Sequence, residues 1–392
     1  MSLQLINLNS DLKRLRDEGY FIQVKNGFLI MRDVPYVNSN RHVCRGTIIS
    51  SLSLAGDRTR IPDTHVVHFD GDMPCNAEGE ALNAVVLQSS IFDLGRGITA
   101  KHMFSSKPKS GYTDYYHKMT TYASILSGHA EVLNSGISPK VFSTPEDEED
   151  SVFNYTETAS GRVGIGALSD LLAEESVAII GLGGTGSYIL DLVAKTPVRE
   201  IRLFDSDEFL QHNAFRAPGA PTLEALRDAE KKVEYFKSIY SNMHKRISTS
   251  STYIDEENLE LLNGVTFAFI CIDAGTSKKS IVQKLEELDI PFVDVGMGVE
   301  LTDGSLGGIL RVTASTSGKR QHVHEGRVSF GGGEGNDVYS SNIQVADLNA
   351  LNAALAVIKW KKIRGFYRDL EQEHHSTYTT DGNLLLNGES YA

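Results

Sequence analysis

A predicted strand, a glycine-rich turn and a predicted helix follow one another directly near the middle of the chain, and this arrangement constrains the fold more than any other feature. Residues 177–180 are a short apolar run typical of a buried strand. The turn Gly181-Leu-Gly-Gly-Thr-Gly186 comes next, and residues 188–194 have helical periodicity. Glycines permit a tight turn and a close approach to a ligand, and the first turn of a helix attracts phosphate. We therefore assign a phosphate-bearing ligand to Gly181, Gly183, Gly184, Thr185 and Gly186.

Polar side chains follow the next predicted strand, residues 200–204. Asp205 ends this strand, where a dinucleotide-type fold presents an acid to ribose hydroxyls, and Asp207 lies in the same loop. Asn213 and Arg216 follow and add an amide and a guanidinium. A nicotinamide dehydrogenase has no evident need for an arginine here. An enzyme that splits ATP between its α and β phosphates does, because charge builds up on those oxygens in the transition state.

A later predicted strand also ends in an acid. Residues 266–272 are largely apolar and lead into Asp273. An acid at the carboxyl end of a parallel strand lies in the ligand crevice of such a sheet. We therefore expect Asp273 to hold the Mg²⁺ that accompanies ATP.

These residues together resemble the adenylation site of the ThiF/MoeB/ubiquitin-activating enzyme superfamily. The resemblance covers roughly residues 155–365 and rests on the glycine motif followed by Asp205, Asn213, Arg216, Lys232 and Asp273. Within the superfamily, residues 213–220 and 342–357 resemble bacterial ThiF-type proteins. Those proteins carry an additional N-terminal domain and accompany bacterial ubiquitin-like conjugation systems, for which antiviral defence is one suggested role.

The resemblance implies an activity. A bacterial protein of this type would adenylate the C-terminal carboxylate of a ubiquitin-like protein, release pyrophosphate and work with a conjugating enzyme. Lys232 matches the lysine of the superfamily that contacts phosphate, although two adjacent lysines on a helix commonly form a solvated face. Arg162 matches, by position, an arginine that reaches the nucleotide of a partner subunit, and a solvated residue at a helix start is the alternative. The implied catalytic residues are Arg162, Asn213, Arg216, Lys232 and Asp273.

The steps after adenylation stay open. Cys44, Cys75 and Cys271 are the three cysteines, and none lies where the resemblance places a thioester-forming cysteine. Cys75 could serve from the N-terminal part, the adenylate could pass directly to a thiol of a partner, or the loop at residues 315–341 could have lost its cysteine by replacement. There is also no Cys-x-x-Cys pair, so no zinc site is expected, unlike in many members of the superfamily.

Three other classes of protein compete with this interpretation. One is a sulfur-carrier adenylyltransferase of the thiamine or molybdopterin type, which the additional N-terminal domain and the missing zinc cysteines disfavour. Another is an NAD-dependent Rossmann oxidoreductase, which Arg216 and Asp273 disfavour. The third is a scaffold that binds a ubiquitin-like protein without turnover. Such a scaffold would have no chemical reason to keep the whole set of adenylation residues.

Sequence patterning predicts two domains. We expect an α/β fold, a Rossmann-like doubly wound and mostly parallel sheet, preceded by a smaller α+β domain. The predicted division is an N-terminal domain at 1–142, an acidic linker at 143–161, an adenylation domain at 162–370 with a crossover loop at 315–341, and an extension at 371–392. The apolar helix predicted at residues 344–364 would pack on the sheet or on a second subunit, and we expect a homodimer.

Composition excludes several partners. The formal net charge is -13 and the basic residues are scattered, so nucleic acid is not expected as a partner. No apolar run reaches the ~18 residues of a membrane span, and the N-terminus lacks an apolar signal core. We therefore expect a soluble, cytoplasmic protein that does not bind a membrane.

Within residues 1–142, three features invite a specific interpretation. His65, His68 and His117 would form a metal site only if two residues three apart on a strand faced the same side, which strand geometry disfavours. Cys75 lies in a turn-rich loop where a thiol could be accessible, although free cysteines are commonly buried. The tyrosines between 112 and 122 have the spacing of helix packing.

Overall fold

The chain divides into two compact units in a computed structural model, Met1–Asp170 and Leu171–Ala392. The structure describes residues 2–143, 151–155, 157–158, 165–331 and 343–390. Each unit has its own sheet and its own hydrophobic core. None of the described helices is long and apolar enough to cross a membrane.

The first unit is built on an antiparallel sheet whose strand order is β1-β2-β3-β6-β8-β7. Its strands are β1 (Phe21–Lys25), β2 (Phe28–Val37), β3 (Val43–Ser51), β4 (Leu54–Ala55), β5 (Arg58–Thr59), β6 (Val66–Asp70), β7 (Val86–Gly95) and β8 (Ile98–Ser105). Its helices are α1 (Ser2–Leu8), α2 (Ser10–Asp17), α3 (Tyr115–Leu133) and α4 (Gly166–Asp170). Asn26 and Gly27 join β1 to β2 with φ angles of 50° and 75°, as a two-residue hairpin turn requires.

The long helix α3 covers one face of this sheet. It begins after Asp114, whose side chain accepts a hydrogen bond from the backbone N–H of His117 at 2.7 Å, and an acceptor at this position stabilises a helix start. Tyr115, Met119 and Tyr122 lie on its buried face and belong to the core that the sheet completes. The tyrosines at this end therefore serve packing, as their spacing predicts.

Of the two alternatives for Cys75, an accessible thiol or a buried one, the structure shows the buried one. Its side chain is buried, its Sγ–H donates to the backbone oxygen of Met73 at 3.5 Å, and burial raises the pKa of the thiol. The three histidines have separate neighbours: His65 bonds Ser105, while the rings of His68 and His117 pack edge-on against Phe92 and Tyr112. Among the described residues no three metal-ligating side chains come together.

The second unit is an α/β structure around an eight-stranded sheet. Its strand order is β11-β10-β9-β12-β13-β14-β15-β16, parallel from β11 to β13 and antiparallel beyond. The strands are β9 (Ser176–Ile180), β10 (Glu200–Phe204), β11 (Ile247–Ser250), β12 (Phe267–Ile270), β13 (Phe292–Thr302), β14 (Ser305–Ser315), β15 (His375–Thr379) and β16 (Leu384–Gly388).

Helices cover both faces of this sheet. The helices are α5 (Gly184–Val193), α6 (Gln211–Ala214), α7 (Leu223–Asp228), α8 (Lys232–Tyr240), α9 (Thr276–Glu287) and α10 (Ala346–Ile363), with short turns at Leu259–Leu262 and Val323–Arg327. Apolar residues of α5, α8 and α10 form one core with the sheet, and residues of α9 form another. Apolar residues on both faces explain why β9 and β12 are buried throughout. The predicted fold class, a Rossmann-like sheet preceded by an α+β domain, is confirmed.

The structure adds detail to three segments of this unit. Residues 224–243 have the periodicity of one helix, but Ala229 has a left-handed backbone (φ 45°) and separates α7 from α8. The segment after residue 371 contains two strands, since β15 pairs with β14 and β16 with β15, and the second lies where residues 383–386 predict a strand. In the described part of the crossover segment, Val323 and Val328 are buried in the core. Residues 332–341 of that segment lie outside the described residues.

One lysine of the first unit lies in an apolar setting. Lys118, on the buried face of α3, is fully buried, and its Nζ donates to Ser50 Oγ at 2.9 Å. Burial lowers the pKa of Lys118 to about 8, and the carboxylate of Asp63 opposes this shift only in part. Burial without a close anionic partner disfavours the charged form.

We expect Lys118→Met to stabilise the chain near neutral pH and to remove a pH dependence. The folded wild type loses this proton at about pH 8 and the unfolded chain near the ordinary value of 10.5, so between these values the unfolded chain binds more protons and stability rises with pH. Between about pH 7.5 and 9.5 the wild-type free energy of unfolding should rise by roughly 1–2 kcal/mol from this residue. Urea unfolding followed by circular dichroism measures it, with the exposed Lys101→Met as the control. An equal pH slope in wild type and Lys118→Met would contradict the assignment.

Candidate functional site

The order of the parallel strands places a crevice beside the glycine turn. From β9 the chain moves outward through β10 and β11, and it then returns to the other side of β9 with β12. Ligands of open α/β sheets bind where the strand order reverses in this way, at the carboxyl ends of the strands. The turn after β9 and the residues after β12 flank this point, which brings Gly181 and Asp273 to the same edge of the sheet.

The four glycines of the turn have different roles. Gly181 has a φ of 92°, and a Cβ there would lie 2.7 Å from the backbone oxygen of Cys271. A Cβ on Gly186 would collide with the carbonyl oxygen of Gly181, and one on Gly184 would collide with the side-chain amide of Asn349. Only Gly183 faces open space among these four, with no described atom within 4 Å of an added Cβ. Gly183 is therefore the point at which a ligand can approach the backbone.

The start of α5 offers backbone donors. Its N-cap residue is Gly183, which has no side chain, and no described side chain caps this end. The first N–H groups of a helix have no partner within the helix, and the helix dipole adds positive potential there. The turn is thus suited to bind a phosphate group.

Asp205 joins the glycine turn to the loop after β10. Its Oδ2 accepts from the backbone N–H of Leu182 at 2.6 Å, and its Oδ1 accepts from the backbone N–H of Asp207 at 2.9 Å. The ammonium of Lys232 lies 3.5 Å from Oδ1 and donates to Asp207 Oδ2 at 2.6 Å. Asp205 and Lys232 are 8% and 7% exposed, so this pair is largely shielded from solvent. Contact of Asp205 with a ribose stays a prediction.

The break between α7 and α8 is what brings Lys232 to this position. The backbone N–H of Lys232 donates to the carbonyl of Asp207 at 2.9 Å, and that of Phe209 donates to Glu230 at 2.7 Å. These bonds tie the first residue of α8 to the segment after β10. One continuous helix could not make them, since the helical path is interrupted at Ala229, whose backbone is left-handed.

Asn213 and Arg216 lie at the short helix α6. Asn213 is buried, and its Oδ1 accepts from the backbone N–H of Leu210 at 2.8 Å. The Nε of Arg216 is buried and has no hydrogen-bond partner among the described residues. An unpaired buried donor costs free energy, which a bound anion would recover. The structure therefore leaves the Arg216 guanidinium available for a ligand.

Asn349 of α10 is a site residue that the sequence patterns missed. It is fully buried, its Oδ1 accepts from Thr185 Oγ1 at 2.9 Å, and its Nδ2 donates to the backbone oxygen of Arg216 at 3.4 Å. It thus links the glycine turn to the arginine segment. Its helix is predicted from apolar spacing, in which an asparagine carries no signal of its own.

The remaining predicted site residues are placed as follows. Asp273 follows β12 and is exposed, so its carboxylate is available to a cation at the crevice. Arg162 lies outside the described residues. Cys271, directly after β12, is half-buried; burial, followed by the negative charge of Asp294, raises the pKa of its thiol well above the usual range. This thiol is not activated as a nucleophile.

Two family models match adjoining parts of the chain. Residues 159–318 match the ThiF family, and residues 10–158 match a domain of unknown function, DUF6791. The first match includes the glycine turn, Lys232 and Asp273.

Two named proteins are similar over part of the chain. One is tRNA threonylcarbamoyladenosine dehydratase of Escherichia coli (strain K12), 25% identical over 134 residues that cover 32% of this chain and 47% of that protein. The other is ubiquitin-like modifier-activating enzyme 5 of Culex quinquefasciatus, 24% identical over 157 residues that cover 37% of this chain and 39% of that protein. The chain thus spans less than half the length of either relative.

Solved structures show distant likeness. The E. coli MccB structure with ATP has a TM-score of 0.43 and 16% identity, covering 60% of this chain and 68% of that chain. The E. coli tRNA N6-threonylcarbamoyladenosine dehydratase structure with AMP has a TM-score of 0.39 and 19% identity, covering 52% of this chain and 91% of that chain.

The different roles of the glycines predict different costs of substitution. Gly184→Ala should lower the free energy of unfolding by about 1–3 kcal/mol, because its methyl group would displace the buried Asn349 amide. Gly183→Ala should lower it by less than about 1 kcal/mol, since its methyl group enters open space at a helix N-cap. Chemical unfolding followed by the fluorescence of Trp360, the single tryptophan, measures both, because Trp360 is fully buried in the core of this unit. Equal losses for the two variants would contradict these roles.

Proposed function

We propose, from the match of residues 159–318 to the ThiF family, that the chain uses ATP to adenylate a substrate carboxylate. The observation that carries this proposal is Arg216, whose buried Nε has no partner among the described residues and whose backbone is held to the glycine turn through Asn349. A guanidinium nitrogen without a described partner, close to a turn suited to phosphate, fits an enzyme that stabilises charge on phosphate oxygens.

The proposed step is a displacement at the α phosphate. A carboxylate oxygen of the substrate forms a bond to the α phosphorus, the bond to the β-phosphate oxygen breaks, and pyrophosphate leaves with that electron pair. The nucleophile is already ionised at neutral pH, so no general base is required. The chain's contribution is to position the reactants and to neutralise charge.

The glycine turn, Arg216, Lys232 and Asn213 would each have a task in this step. The first turn of α5 would bind phosphate oxygens through backbone N–H groups. The guanidinium of Arg216 and the ammonium of Lys232 would neutralise the negative charge that develops in the transition state. The amide of Asn213, whose oxygen is held by Leu210, would direct its Nδ2 donors toward the same oxygens.

The exposed carboxylate of Asp273 fits the requirements of Mg²⁺. This cation is bound in nucleotide sites by one or two carboxylates together with phosphates and water, and it neutralises phosphate charge when bound. Asp273 lies at the carboxyl edge of the sheet beside the glycine turn, which is the position such a carboxylate needs.

For the substrate, we propose the C-terminal carboxylate of a ubiquitin-like protein. The resemblance of residues 213–220 and 342–357 to bacterial ThiF-type proteins supports this class, as does the name of one relative, ubiquitin-like modifier-activating enzyme 5. The other relative is named for a modified nucleoside of tRNA, so the two names point to different substrates. Adenylation of a carboxylate is therefore the general proposal, and a ubiquitin-like protein as the carrier of that carboxylate is the more specific one. A homodimer and a conjugating-enzyme partner stay predictions that sedimentation analysis can test.

Exchange of labelled pyrophosphate into ATP tests the reaction. We expect exchange only in the presence of a ubiquitin-like protein encoded beside this chain's gene, and none with the same protein amidated at its C-terminus. Arg216→Ala and Asp273→Ala should each slow exchange on the order of a hundredfold, since each removes a charge that acts on the phosphates. Arg227→Ala and Asp228→Ala, at exposed positions of α7, are matched controls that should exchange at the wild-type rate. Undiminished exchange in Arg216→Ala and Asp273→Ala would reject the assignment.

The fate of the adenylate is a separate proposal. We infer that the acyl group passes directly to a thiol of a partner. Cys75 is buried, and burial keeps the thiol of Cys271 protonated. Cys44 is partly exposed, but it lies within strand β3 of the first unit and not in the 315–341 segment, where the resemblance places a thioester-forming cysteine. With ATP and the carrier, the chain alone should form no adduct that dithiothreitol removes, as seen by intact-mass measurement. A dithiothreitol-sensitive carrier adduct mapped to Cys44, Cys75 or Cys271 would contradict this inference.

A further inference from the structure

A buried asparagine links the glycine turn to the segment of Arg216, and the proposed reaction needs these two elements at a fixed spacing. Asn349 lies near the start of α10 and is fully buried. It belongs to neither element, being 164 residues from Thr185 and 133 residues from Arg216 in sequence. Its amide nevertheless bonds both, through the Thr185 hydroxyl at 2.9 Å and the Arg216 carbonyl at 3.4 Å.

The chemistry of this contact requires an amide. Thr185 Oγ1 needs an acceptor and the Arg216 carbonyl needs a donor, and the amide of asparagine supplies both on two separate atoms, Oδ1 and Nδ2. Aspartate would lack the donor, and leucine would lack both groups. Since buried polar groups are costly unless they are bonded, a fully buried asparagine is stabilised by such partners.

The packing around the amide is as specific as its bonds. Gly184 has no side chain where the Asn349 amide lies, so the amide rests directly on the first turn of α5. The position of this turn, which presents the backbone donors, is therefore fixed from α10. Arg216 is held from the same side chain, through its backbone rather than its guanidinium.

We propose that Asn349 is a positioning residue that sets the glycine turn and Arg216 at the spacing needed to bind the same phosphates. The inference rests on the proposed function, since it takes ATP as the ligand. Asn349 touches no reacting atom and acts through Thr185 and Arg216. A misplacement of about 1 Å in such a site can cost on the order of a hundredfold in rate. A hydrogen bond that holds two binding elements at a fixed spacing can therefore have a large effect on the reaction.

A second buried asparagine provides a matched control. Asn352 lies on the same helix and is equally buried, but its Nδ2 donates to the carbonyl of Gly296 at 3.1 Å. Asn352→Ala therefore removes a buried amide from α10 without touching Thr185 or Arg216. If the loss of packing or of a buried polar group were what weakens ATP binding, both variants should show it. If the cause is the altered spacing between the glycine turn and Arg216, only Asn349→Ala should show it.

The test is a double-mutant cycle on ATP affinity, measured by isothermal titration with the full chain. We expect Asn349→Ala to weaken ATP binding about fivefold and Arg216→Ala about tenfold. The double variant should be weakened about tenfold rather than fiftyfold, because the spacing that Asn349 sets has no effect on ATP once the Arg216 guanidinium is absent. Asn352→Ala should leave ATP affinity within about twofold of wild type, and its effect should be independent of Arg216.

Should Asn349→Ala fail to fold, Thr185→Val replaces it in the same cycle. This variant removes only the hydroxyl that donates to Asn349, at a half-buried position, and it should show the same loss of additivity with Arg216→Ala. Multiplicative losses for either pair, or an unchanged affinity in Asn349→Ala, would overturn the inference.

The outcome separates this inference from the proposed function. A wild-type chain that binds ATP but supports no pyrophosphate exchange removes the adenylation proposal, and the binding cycle still decides the role of Asn349. If the wild-type chain binds ATP and shows exchange, but the affinity losses of the two single variants multiply in the double variant, only the inference about Asn349 is rejected. A wild-type chain that does not bind ATP rejects both.

Discussion

The carboxylate of Asp205 is the contact on which the rest of the candidate site depends. Its two oxygens accept from the backbone of Leu182, in the glycine turn, and of Asp207, in the loop after β10, and Lys232 lies beside them. Three chain segments are thereby fixed at the carboxyl edge of the parallel sheet. Because Asp205 and Lys232 are largely shielded from solvent, their attraction is stronger than that of a surface pair. The parallel strands define the edge of the sheet at which the site lies, and the contacts of Asp205 fix how the three segments are arranged there.

A second set of polar contacts completes the site from α10. The amide of Asn349 rests on Gly184 and bonds Thr185 and the backbone of Arg216, while the Arg216 Nε has no partner among the described residues. The hydrogen bonds that hold the site in place are thus formed, while one buried donor has no described partner and is available to bond a ligand. Such an arrangement suits catalysis by preorganised charge, in which the donors are positioned before the reactants arrive.

The sequence predicts those parts of the structure that depend on neighbouring residues. The glycine turn with its flanking strand and helix follows from local backbone preferences and was predicted correctly. The Asn26-Gly27 pair is likewise a strong local signal for the hairpin between β1 and β2. The break at Ala229 was missed, because alanine gives no signal for a left-handed backbone. Asn349 was missed because its partners are more than a hundred residues away in sequence. Cys75 is buried where its segment bridges to Val37, which is distant in sequence and which its turn-rich surroundings do not reveal.

A crystal structure of the chain with a non-hydrolysable ATP analogue and Mg²⁺ tests most directly whether these segments converge on a triphosphate. We predict phosphate oxygens within hydrogen-bond distance of the first N–H groups of α5 and of the Arg216 Nε, with the open side of Gly183 facing the ligand and Asp273 beside the cation. A map in which the Arg216 guanidinium points away from the phosphates, or in which Asp273 lies far from the cation, would contradict the proposed adenylation site.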